Sequence, residues 1–90
     1  MFNQDKFNEA IKAIKYERKF QDQLWGENFD DDKWSPAEWL VFIEMYVEKA
    51  KNSLLGCDNQ EDGHQKQMDN MRKIAALAVA AMENRGVVKR

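Results

Sequence analysis

Residues Ile74 to Met82 read Ile-Ala-Ala-Leu-Ala-Val-Ala-Ala-Met without one polar side chain, and this run limits the fold more than any other feature. Alanine and leucine favour helix, and a helix that is apolar all round is stable only when other elements cover it. The run is also well short of the roughly 20 residues that a bilayer crossing requires. It predicts a central helix over about 65–84, with Met68 and Met71 on its earlier turns and Gly86 as its stop.

Two more helices supply the neighbours. Ser35-Pro36-Ala37-Glu38 sets a capping hydroxyl, a proline at the first helical position and a glutamate three residues after the serine, so a helix starts there and runs over about 36–55, ending near Gly56. Its apolar stripe is expected to be Trp39, Leu40, Ile43, Val47, Ala50 and Leu54, with Phe42 and Met45 off it. A first helix over about 4–24 carries Phe7, Ala10, Ile11 and Ile14, after which the stripe slips to Ala13, Tyr16, Phe20 and Leu24 before Gly26 breaks it. The slip predicts two faces with different neighbours, the core for one and another subunit for the other. Glu27 to Lys33 and Cys57 to His64 read as polar loops. The expected fold is all-α: one domain over residues 1–90, with three main helices and completion by oligomerisation, because so short a chain covers only part of its apolar surface.

With 14 Lys and Arg against 16 Asp and Glu, the net charge of −2 argues against general affinity for a nucleic-acid backbone. Cys57 is the only cysteine, which rules out an intramolecular disulfide and makes a reducing compartment the simpler assumption. Met1 to Lys15 mixes charged and apolar residues with no continuous apolar run. The expectation is therefore a cytoplasmic protein, neither exported nor inserted in a membrane.

Catalytic constellations are scarce. The sequence has no glycine-rich phosphate loop, no serine elbow and no Cys/His cluster at zinc spacing, and His64 stands alone in a polar segment. Glu44 and Glu48 lie four residues apart on one side of the second helix and, with Asp69, are the candidate magnesium ligands. The plainer reading is a solvated face paired with Lys49 and Lys51. Lys12, Lys15, Arg18 and Lys19 form a basic strip beside Tyr16, Phe20 and Trp25, a face that would hold a phosphate on its cations and a base against a ring. Its plainer reading is a solvated strip countered by Glu17 and Asp22, with Trp25 and Trp39 as core or interface anchors.

The segment Glu17-Arg18-Lys19-Phe20-Gln21-Asp22-Gln23-Leu24-Trp25-Gly26-Glu27 resembles the opening of small phage and bacterial MazG-like proteins, whose first helix ends in a QDxxWGE pattern. Ser35 to Ala50 is similar to their xxEWLxxLxEExxExA helix, and Ile74 to Glu83 to their VAAVAVAWIE helix, so the likeness spans roughly Glu17 to Gly86. The resemblance implies the all-α nucleoside triphosphate pyrophosphohydrolase superfamily, in which helices of two or more subunits surround a magnesium site. It also implies that the family's acidic ligands fall here on Tyr46 and Lys49 in the second helix, and on Asn70 and Lys73 in the third. A lysine where a divalent cation must bind removes a ligand and adds repulsion.

On this resemblance the chain is expected to be a degenerate member of phage or prophage origin, acting in the host cytoplasm without magnesium. It would bind or sequester a nucleotide or nucleotide-derived signal, as in host defence evasion, in an intersubunit pocket lined by Tyr46, Lys49, Arg72 and Lys73, with Lys15, Arg18 and Trp25 as further candidates. Two alternatives remain. One is a divergent magnesium-dependent pyrophosphohydrolase using Glu44, Glu48 and Asp69; the other is a helical protein docking on a host protein through Phe42, Met45 and Trp25.

Overall fold

The computed structural model describes residues 1–26, 34–53 and 60–90, excepting the side chains of 60–62, and its elements there are three helices. They are α1 (Gln4–Trp25), α2 (Pro36–Asn52) and α3 (Gln60–Arg85). The expected loop at 27–33, residues 57–59 of the loop expected over 57–64, and Leu54 and Gly56 lie outside the described residues; residues 60–64, His64 among them, are corrected to the first turns of α3.

Each boundary has a local cause. Asn3 caps α1 by accepting a hydrogen bond from the Lys6 amide at 3.0 Å, satisfying an amide that the first helical turn leaves without a partner. At α2 the reciprocal box forms: the Glu38 amide donates to Ser35 Oγ at 3.2 Å, and the Ser35 amide donates to Glu38 Oε1 at 3.1 Å. Gly26 and Gly86 end α1 and α3 with φ of 74° and 99°, a left-handed backbone that only glycine adopts without strain.

Helix α3 is the centre, and α1 and α2 each pack along it without packing along each other. Gln67 Nε2 donates to the Ala50 carbonyl at 2.8 Å near the start of α3, and Arg85 Nη1 donates to the Trp34 carbonyl at 3.2 Å near its end. These contacts make α2 antiparallel to α3. Ala10 and Ala13 adjoin the first half of α3, whereas Trp25 packs against Leu77 and Ala80, so α1 runs parallel to α3.

Leu77 and Ala80 of α3 are fully buried against Trp39 of α2, with Trp25, Trp34, Phe42, Ile43, Tyr46 and Ala81 around them. This confirms the alanine-rich run as the helix with the most buried positions. It also corrects the α2 stripe. The inward line is the buried Trp39 with the half-buried Phe42, Ile43, Tyr46 and Ala50, whereas Leu40 and Val47 face outward. Aromatic packing explains the rotation: Trp34 meets Trp39 and Phe42 edge-on, each at 4.9 Å, and Phe42 meets Tyr46 edge-on at 5.4 Å. Such pairs add about 0.5–1.5 kcal/mol each beyond burial, enough to outweigh Leu40 and Val47.

On α1 the core-facing half of the stripe is corrected: Phe7 and Ile11 are exposed, and the residues α1 buries are Glu17 and Gln21. Tyr16, Phe20 and Leu24, expected against another subunit, are exposed on the single chain.

If the inner line of α2 is as described, Trp39→Ala destabilises the protein by about 3–5 kcal/mol. Leu40→Ala changes stability by less than about 0.5 kcal/mol, as a surface substitution does. Denaturant unfolding of the two variants measures both.

Candidate functional site

The α1–α3 seam is built from side chains that are usually found on surfaces. Glu17, 8 % exposed, accepts a hydrogen bond from Arg72 Nε at 2.8 Å. Arg72 Nη2 also donates to Asp69 Oδ1, and Lys73 Nζ lies 3.1 Å from Asp69 Oδ2. Gln21, 6 % exposed, donates from Nε2 to the Lys73 carbonyl at 3.3 Å. One turn apart along α1, the Arg18 guanidinium grips Glu83 through Nε at 3.1 Å and Nη2 at 3.0 Å, with Asp22 3.7 Å away and the Trp25 ring 5.6 Å below.

A buried carboxylate is costly unless paired and hydrogen-bonded, and Arg72 supplies both to Glu17. The hydrogen bond from Lys73 holds the Asp69 carboxyl below its ordinary value of 3.8, against a partial rise from burial and with help from Arg72. The bond to Glu17 likewise raises Arg72, reinforced by Asp69.

Beside this seam lies a groove of about 990 Å3, open on one side, between the first halves of α1 and α3. Ala10, Ala13 and Ile14 form one wall and Met68, Met71 and Ala75 the other; His64, Lys66, Asp69 and Arg72 supply its polar groups. Its volume is at the upper end of small-molecule sites.

The seven expected ligand residues do not gather in one place. Arg72 lines the groove, and Lys73 stands beside it through their shared partner Asp69. Arg18 and Trp25 stack on each other farther along α1. Tyr46 and Lys49 pair on α2, with the ammonium 4.9 Å from the ring, and Lys15 is exposed on α1. Within the single chain Lys73 is engaged by Asp69 and Lys49 by Tyr46, each on its own helix.

For the alternative metal set, Asp69 belongs to the α1 seam, while Glu48 lies 3.6 Å from Lys51 on α2. No three His, Cys, Asp or Glu residues among those described gather closely enough to hold a metal ion. Of the three docking anchors, Trp25 and Phe42 pack against the core and Met45 is exposed. Among the described residues, no helix is long and apolar enough to cross a membrane.

Sequence reasoning missed Glu17 and Gln21 as structural residues. Their spacing with Ile14, Arg18 and Trp25 already marked one helix face, although most of its members are polar. Glu17, Arg18, Gln21 and Trp25 are the residues of α1 turned toward α3 and the core. Comparison with protein-family models, with curated proteins and with solved structures finds no match to this chain.

Removing Arg72 leaves the Glu17 carboxylate buried without its main donor, so Arg72→Ala destabilises the protein by about 1–3 kcal/mol in denaturant unfolding. Because the folded state depresses Asp69, its contribution is fully present above the ordinary value of 3.8 and is lost as pH falls through the lower folded value. Wild-type stability measured across pH 2–6 accordingly falls at the acid end, and Asp69→Asn flattens that fall.

Proposed function

We propose that this protein binds a nucleotide or a nucleotide-derived signal in the α1–α3 groove, without hydrolysing it. One observation carries the reading: an apolar slot large enough for a base and sugar is also lined by His64, Lys66 and Arg72, with Asp69 beside Arg72. Arg72 uses Nε for Glu17 and Nη2 for Asp69, and a guanidinium has five N–H donors, so others remain for a phosphate. The MazG-like resemblance supports the same ligand class, and the lysines at its acidic positions favour binding over metal-dependent turnover. On this reading the protein is a phage-type sponge for a host nucleotide.

Isothermal titration calorimetry with linear and cyclic nucleotides tests it directly. A saturable heat is expected for at least one phosphorylated nucleoside and none for the unphosphorylated nucleosides. Lys66→Ala weakens that affinity about tenfold, the equivalent of 1.4 kcal/mol. Silence across the whole panel removes the proposal. Magnesium-dependent release of pyrophosphate that Glu48→Gln abolishes would replace it with the hydrolase.

A further inference from the structure

Methionine ordinarily fills irregular gaps in apolar cores, because its flexible thioether adapts to them. In α3 it does not. Met68 and Met71 are more than half exposed, at 54 % and 56 %, and both line the α1–α3 groove together with His64. The three positions are separated by four and then three residues, so they share one face of the helix, with neighbouring Cβ atoms about 5–6 Å apart. Methionines in a helix favour rotamers that lean back toward its N-terminus. That direction carries the Met71 sulfur toward Met68 and the Met68 sulfur toward the His64 ring.

Such a donor set selects its ion. Imidazole nitrogen and thioether sulfur are both neutral donors, and soft sulfur favours copper(I). Zinc takes thiolates, imidazoles and carboxylates rather than thioethers. Magnesium and calcium need several oxygens, and Asp69, the carboxylate that lines the groove among the described residues, is held by Arg72 and Lys73. The Arg72 guanidinium on the same groove repels a dication more than a monocation. The walls of Ala10, Ala13, Ile14 and Ala75 limit the water that reaches an ion there, which favours the lower oxidation state.

We infer that His64, Met68 and Met71 form a binding site for one copper(I) ion on the α3 wall of the groove. Two of its three donors are thioethers, so the lack of a His, Cys, Asp or Glu cluster among the described residues does not bear on it. The site goes beyond the nucleotide reading and does not rest on it.

The test uses the full chain carrying Cys57→Ser, which removes its one thiol, in the absence of nucleotide. Anaerobic titration against a weak chromophoric chelator of copper(I) is expected to show one equivalent withdrawn per chain. Met68→Leu and Met71→Leu nearly conserve side-chain volume, and each is expected to weaken that affinity about tenfold or more. Met82→Leu, on the same face of α3 but eleven residues beyond Met71, leaves it unchanged. Silver(I), a soft monovalent ion without redox chemistry here, is expected to shift the methyl resonances of Met68 and Met71 and to leave those of Met1, Met45 and Met82 in place. This second readout needs no leucine variant, so it decides the matter should one of them unfold. The inference is overturned by no withdrawal of copper, by an affinity that survives both leucine variants, by shifts spread evenly over all five methionines, or by zinc held as tightly as copper(I). Because no nucleotide is present, a negative result here is distinct from a silent calorimetric panel.

Discussion

The ion pair between Glu17 and Arg72 decides how the first helix sits. Helix α1 carries more apolar surface outside the interface than within it, so burial alone would turn a different face inward. A carboxylate enclosed at this depth tolerates only the orientation in which Arg72 reaches it, and Arg72 is itself fixed by Asp69 on the next turn of α3. Gln21 bonding to the Lys73 carbonyl and Arg18 gripping Glu83 extend the same register toward the end of the helix. The seam is specific because it is polar. A sliding or rotated α1 would strand several charges at once.

This choice has a cost that shapes the rest of the surface. With polar groups facing α3, Phe7, Ile11, Tyr16, Phe20 and Leu24 of α1 are displaced outward, and only Trp25 at its end turns into the core. The opposite side of α3 is conventional: Trp39, Leu77 and a cluster of edge-on aromatic rings form a dry core. One helix thus serves two different interfaces, one held by stacking and burial and the other by hydrogen-bonded charge. The groove opens where the polar seam gives way to alanine and methionine, and this is why cations and apolar walls meet there.

Much of the fold was legible in the sequence, and the reasons are local. The Ser35 to Glu38 box, the two left-handed glycines and the alanine-rich run each determine their outcome through neighbouring residues alone, and all three helices stand close to where those signals put them. The inward faces were less legible. Leu40 and Phe42 differ little in hydrophobicity, and the preference for Phe42 depends on Trp34, whose position no periodicity reveals. On α1 the apolar stripe pointed away from the answer, because the deciding partner of Glu17 lies 55 residues on. Of the candidate ligand residues only Arg72 lines the groove and Lys73 adjoins it; Tyr46 and Lys49 were joined to them by alignment to a family pattern, which says nothing of pairing with Asp69.

The orientation of α1 is the claim on which the seam, the groove and the exposed stripe all depend, and proton–proton contacts measured by nuclear Overhauser spectroscopy test it most directly. On isotope-labelled protein, the account predicts contacts between the Gln21 side chain and the Lys73 backbone, and none between the Phe20 ring and the Leu77 methyls. Strong contacts within one chain between Phe20 or Leu24 and Leu77, with the Glu17 and Gln21 side chains in solvent, would contradict it.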